Sequence, residues 1–261
     1  MRFLGPRSSL PVLAALIAAS LTGCASTGDA PRKFTSEERA QLLIESARAA
    51  IQEGDLVGAL QNLADAEKND AKNPDVFHTR ALTFYARKDL PQALAEVRKA
   101  LQLKPDYSSA QVTEGKILLD LGRYKEAEAP LIQAARDPLN REAYKAFTHL
   151  GVIRYRQNRF DESLQNLDRA VELSPNQACT AYYYRGHIRL KDARYREAIR
   201  DYASATRRAC GSFTEAHLAL ATAYERSRQY DMARRKYLEI QETFANTEVA
   251  ERAMERLRAL P

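Results

Sequence analysis

Phe147-Thr148-His149-Leu150-Gly151 leads through a turn into Phe160-Asp161-Glu162-Ser163, and the arrangement returns as Tyr182-Tyr183-Tyr184-Arg185-Gly186 leading into Tyr195-Arg196-Glu197-Ala198. Working outward from these two stretches, the last small residue of each belongs to a column of Ala59, Ala93, Ala127, Ser163, Ala198 and Ala233, with steps of 34, 34, 36, 35 and 35 residues. Self-similarity at this period marks a stack of supersecondary units. Twelve residues upstream runs a second small column of Ala47, Ala81, Gly115, Gly151, Gly186 and Ala221. Seven downstream runs a third of Ala66, Ala100, Ala134, Ala170 and Ala205, with Ile240 in last place. Two antiparallel helices approach closely only where side chains are small, so the columns mark helix crossings. Larger residues fill the spaces between them: Leu56, Leu90, Tyr124, Phe160, Tyr195 and Tyr230 at the turns, then Leu63, Val97, Leu131, Leu167, Tyr202 and Tyr237 on the second helices.

Three small columns at this spacing resemble the tetratricopeptide (TPR) pattern. The resemblance implies an all-α, right-handed superhelical solenoid of about six helix pairs over residues 36–246, closed by a C-terminal capping helix over 247–261. Thr35-Ser36-Glu37-Glu38 has the form of a capping box that starts the first helix. Val249, Ala253, Leu257 and Leu260 recur at helical spacing between charges, as a terminal helix covering the last repeat requires. Pro74 opens the second repeat, and Pro105 and Pro175 close the second and fourth. Pro130 lies inside a second helix and predicts a kink there. The absence of Trp and the unusual ends of repeats one and three, at Ala71 and Leu139, predict looser joints.

The start of the chain is of another kind. Arg2 and Arg7 precede an apolar run from Leu10 to Leu21, too short to span a bilayer as a mature helix, so residues 1–23 read as a secretory signal. Leu21-Thr22-Gly23-Cys24 resembles the lipobox of bacterial lipoproteins, which implies cleavage before Cys24 and its acylation; the alternative is a plain secreted protein. Several acyl chains bury enough methylene for stable anchoring. Ala25 after the cysteine, by resemblance to Gram-negative sorting, implies an outer-membrane protein facing the periplasm. Residues 24–35 then form the acylated cysteine and a polar tether.

Of 40 basic and 34 acidic residues, cleavage removes two basic ones, so the mature chain is mildly basic with charges of both signs interleaved. That pattern belongs to solvated helices and argues against nucleic acid. The densest basic stretch, Cys179 to Phe213, holds Arg185, Arg189, Lys191, Arg194, Arg196, Arg200, Arg207 and Arg208 against Asp192, Glu197 and Asp201. It reads either as a patch for an acidic segment or lipid headgroups, or as solvated charge. Cys179 and Cys210 bracket the two helices of repeat five, whose ends lie side by side; they form either a disulfide, worth about 3–4 kcal/mol in the chain-entropy model, or two buried thiols. His78, His149, His187 and His217 lie in different repeats without ligand spacing, so no metal or other cofactor is expected. No phosphate loop, nucleophile elbow or zincin motif is present, and no catalytic site is expected.

The face of the first helices that lines the inside of a superhelix is the expected partner surface. Its outward positions include Tyr85, Val112, Val152, Tyr155, Arg156, Tyr183, His187, Leu190 and Leu218. Tyr and Arg are favoured interface anchors; against this, aromatic residues in such repeats often serve only to pack the next repeat. The lipobox, six repeats, paired cysteines and the stretches Phe213–Ala221 and Tyr237–Ile240 together resemble the type IV pilus biogenesis and stability lipoproteins. That resemblance implies a pilotin, a monomer by preference, whose protein partner is the outer-membrane secretin of the pilus. A periplasmic scaffold for peptidoglycan enzymes and an outer-membrane protein assembly factor are the alternatives.

Overall fold

A computed structural model describes residues 33–261. The signal segment, Cys24 and nearly all of the tether therefore lie outside the described residues. Thr35–Pro261 form one compact unit built, among the described residues, from thirteen α-helices and a single 3₁₀ turn. In chain order the helices are α1 Ser36–Glu53, α2 Leu56–Asn69, α3 Pro74–Ala86, α4 Leu90–Leu103, α5 Ser108–Asp120, α6 Tyr124–Arg136 and α7 Ala143–Arg156. They continue as α8 Phe160–Leu173, α9 Cys179–Lys191, α10 Tyr195–Ser204, α11 Thr214–Arg226, α12 Tyr230–Thr243 and α13 Glu248–Ala259, with the 3₁₀ turn at Arg208–Cys210. Each odd helix up to α11 packs on the even helix that follows, and α13 packs on α12 and α11. The fold is the helical-repeat solenoid that the columns predict.

Local chemistry starts and stops the helices where the repeats need it. Thr35 Oγ1 accepts from the Glu38 amide while Glu38 accepts from the Thr35 amide, the reciprocal capping box. Asp55 and Asp89 cap α2 and α4 by accepting from the Gly58 and Gln92 amides. Between the two helices of each pair one residue takes the left-handed conformation: Gly54, Lys88, Gly122, Asn158, Ala193 and Arg228. This column repeats with the period of the small residues, yet only two of its members are glycine, so the other four carry a conformational cost. α6 is helical on both sides of Pro130.

The core is assembled from the three small columns and the large residues facing them. All three columns are buried. At the three glycines the opposing side chain fills the place of a Cβ: one on Gly115 would sit 2.3 Å from Leu131 Cγ, one on Gly151 2.6 Å from Leu167, and one on Gly186 2.7 Å from the Tyr202 ring. The size of the opposing residue does not by itself set the choice, since alanine holds the same place opposite Leu63 and Tyr237, at Ala47 and Ala221.

Consecutive odd helices also touch one another, α1 with α3, α3 with α5, α5 with α7, α7 with α9 and α11 with α13, whereas the even helices do not pack on each other to a comparable extent. The odd helices therefore form the tighter, inner wall. The contact is slight between α3 and α5 and slighter still between α9 and α11. The joint before α11 runs over residues 205–213 and contains the 3₁₀ turn, while the joints before α3 and α5 take only 70–73 and 104–107. Cys210, in that turn, is joined to Cys179 at the start of α9 by a disulfide with Cα atoms 5.5 Å apart.

Candidate protein-binding face

Among the described residues, three hollows lie along the inner wall. The first, of about 410 Å³, is enclosed by α3, α5, α7 and the start of α9, with Leu82, Tyr85, Val112, Tyr144, Thr148 and His149 among its walls. Its surface is mostly apolar and its cations are already engaged. Lys116 donates to Tyr85 Oη and to Asp120, 3.2 Å away, and sits 4.5 Å from the centre of the Tyr85 ring. Tyr85 Oη in turn donates to Asp120 at 2.6 Å, and Lys145 is paired with Glu142. The second hollow, about 420 Å³, continues along the same wall. It shares Lys116, His149 and Thr180 with the first and adds Val152, Arg156 and Tyr184.

Three histidines belong to this wall, and burial lowers each of them to about 4. They are neutral near pH 7. His78 lies within hydrogen-bond distance of Tyr107 Oη and Thr113 Oγ1, 3.1 and 2.9 Å away, which ties α3 to α5 and to the joint before it. His187 Nδ1 meets the Tyr202 hydroxyl at 3.0 Å. His149 faces the first two hollows from α7.

The third hollow, about 440 Å³, fills the space left where α9 and α11 part. Tyr183, His187 and Tyr202 floor it, with Leu190 and Leu218 beside them, and Arg252 and Arg256 overhang it from α13. Burial, then the neighbouring Glu215 carboxylate, raises Tyr183 to about 12. Its ring stands edge-on to His187 at 4.3 Å and tilted against Phe213 at 4.9 Å.

The residues predicted for partner contact thus do not share one patch. Tyr85 and Val112 line the first hollow, Val152 and Arg156 the second, and Tyr183, His187, Leu190 and Leu218 the third. Val112, Val152 and Leu218 are only 5–6% exposed. They wedge between helices and offer floor rather than relief. Tyr155 lines none of these hollows. Its half-buried ring is edge-on to Phe160 at 5.7 Å and to Tyr184 at 5.0 Å and packs one repeat against the next.

The basic stretch of repeat five also reads differently in three dimensions. Asp201, buried to 2% exposure, accepts from Arg185 at 2.6 Å and from Arg189 at 2.6 Å. Arg185 reaches back to Asp168 on α8 at 2.7 Å, and Arg194 is paired with Glu197. Three of the eight basic side chains of the supposed patch are therefore paired with carboxylates. The same device occurs in repeat two, where Arg80 joins Glu96 of its own repeat to Glu67 of the preceding one. Tyr144, Tyr184, Arg252 and Arg256 escaped the sequence reading. For the last two a signal existed: they lie four apart in the terminal helix and share a face.

An all-helical stack with a hollowed, aromatic inner wall defines a helical-repeat binding protein. The tetratricopeptide repeat profile matches residues 112–178 and 183–248, and the chain belongs to that family. Type IV pilus assembly protein PilF of Pseudomonas aeruginosa is 28% identical over 195 residues, covering 73% of each chain. DnaJ homolog subfamily C member 7 homolog of Dictyostelium discoideum is 27% identical over 191 residues, covering 65% of this chain; the match spans only 34% of that protein. The fold is also that of PilW, described as a widely conserved type IV pilus biogenesis factor, with a TM-score of 0.71 over 82% of this chain and 98% of that one at 20% identity.

Proposed function

We propose that this chain is a lipoprotein anchored in the outer membrane through Cys24, facing the periplasm, that binds protein partners along its inner wall without catalysing a reaction. In this reading it promotes assembly or stability of the secretin through which a type IV pilus emerges, and so supports pilus formation and pilus-driven motility. The observation that carries the proposal is the match to the Pseudomonas pilus assembly protein over 73% of both chains, a coverage that a shared repeat alone does not demand. The lipobox-like Leu21-Thr22-Gly23-Cys24 supports the anchor. The first hollow supports the binding role: apolar walls with a few hydroxyls and engaged lysines suit the side chains of a bound polypeptide.

The test is an outer-membrane immunoblot for heat-resistant secretin multimers, with a count of surface pili, in cells with and without the gene. Loss of both on deletion, restored by the wild-type gene and not by Cys24→Ala, is the expected result. Unchanged multimers in the deletion strain overturn it.

A further inference from the structure

Of the three hollows the third carries the largest excess of basic side chains. Lys191 at the end of α9, Arg226 at the end of α11, and Arg252 and Arg256 on α13 all border it, and Glu215 is the one carboxylate in its lining. Arg252 pairs with Glu215 at 3.3 Å, and Arg256 reaches Glu225, outside the lining, at 3.2 Å. Among the described residues, Lys191 and Arg226 have no carboxylate partner. Lys191 instead rests 3.9 Å from the centre of the Phe160 ring. Cations left unpaired around an aromatic floor constitute a field that an anion of matching size would satisfy.

We propose that this hollow is a docking site for an acidic peptide segment, whose carboxylates meet Lys191, Arg226 and Arg252 while an apolar side chain rests on Tyr183 and Leu218. Three facts favour a peptide over a flat anionic surface. The cations come from three helices and converge on a concavity of about 440 Å³. The floor is aromatic, and Tyr183 and Leu190 are only half-buried. Finally, Arg guanidinium groups engage carboxylates in a two-pronged geometry that suits side chains presented singly. The site exists because the long joint at residues 205–213 parts α9 from α11 and because the terminal helix contributes its own pair of arginines. It does not depend on the secretin reading, since an acidic segment of any envelope protein would serve.

The experiment is fluorescence anisotropy of the full chain with a fluorescein-labelled peptide of six glutamates around one phenylalanine. Its twin with glutamine for every glutamate serves as control. Saturable binding of the glutamate peptide alone is expected, weakening several-fold as salt rises from about 0.05 M to about 0.3 M. The double variant Lys191→Gln with Arg226→Gln should bind roughly tenfold more weakly, with unchanged helical circular dichroism, while Arg169→Gln on α8 should bind like wild type. Equal affinity for the two peptides overturns the proposal. So does indifference to the double variant, and so does binding to phosphatidylglycerol vesicles without binding to the peptide.

Discussion

Repeats two to four and the end of the array show how one repeat plan yields two kinds of surface. From α3 to the start of α9 the inner helices stack directly, their joints are short, and the hollow between them is apolar, with Lys116 and Lys145 tied to carboxylates. Between α9 and α11 the inner helices barely touch, a disulfide holds the longer joint, and the hollow there is bordered by Lys191, Arg226, Arg252 and Arg256. The difference does not lie in the small columns, which run through both regions with Ile240 as their one large member. It arises from one joint and from a terminal helix, the parts of a repeat protein least constrained by its period.

The largest effect that would break this comparison is expected at the buried carboxylates. Asp201→Ala leaves the Arg185 and Arg189 guanidinium groups without their shared partner and should cost about 3–5 kcal/mol in urea unfolding. Glu96→Ala, at the equivalent place in repeat two, should cost only about 1–3 kcal/mol, because Glu96 meets one arginine, at 3.4 Å, and the exposed Lys99, whereas Asp201 holds two arginines at 2.6 Å. Equal losses would mean that the two clamps do the same work. Next, replacing both Cys179 and Cys210 with serine should lower stability by about 3–4 kcal/mol. Hydrogen exchange should quicken in α9 and in residues 205–213 while α3 to α6 stay protected. Uniform loosening of the whole array would erase the distinction between the regions.

Smaller effects sharpen the account of the core. Gly151→Ala forces Leu167 to move and should cost about 1–3 kcal/mol, since an added Cβ meets Leu167 Cδ2 and Cγ at 2.6 and 2.7 Å. The pH dependence should then draw on both regions. His78, His149 and His187 titrate near 4 when folded and near 6.5 when unfolded. As pH falls the unfolded chain takes up these protons first. The stability they confer is complete above about 6.5 and is lost progressively toward 4. The thermal midpoint should drop by several degrees between about pH 6.5 and about pH 4.5. Carboxylates held low by arginine or hydroxyl partners, such as Glu128 and Asp137, add a further loss at lower pH. His187→Phe should remove part of the drop; a midpoint flat over this window in the wild type would contradict the burial of the three rings.

Much of this fold could be read from residues alone because repetition multiplies a weak signal. One Ala or Gly says little, but Ala81, Gly115 and Gly151 in register must all answer the same packing constraint. The capping box at Thr35 and the terminal helix were legible for similar local reasons. The face was less so. Tyr155 and Tyr183 look alike in sequence; only the folded chain shows that Tyr183 lines one of the three hollows and Tyr155 does not. Asp201 is one acid among many arginines in the sequence, and its burial, which neutralises Arg185 and Arg189, depends on a partner helix. The left-handed turns at Lys88, Asn158, Ala193 and Arg228 escaped notice because residues without the usual glycine signature occupy them.

The claim at the centre of the account is that the inner wall receives the partner and that the partner is a secretin. Photo-crosslinking in living cells tests it most directly, with benzoylphenylalanine placed in turn at Leu82, which lines the first hollow, and at Arg169 on α8. An adduct containing the secretin from Leu82, and none from Arg169, is the predicted result. A secretin adduct from Arg169 alone, or none from either position, would contradict it.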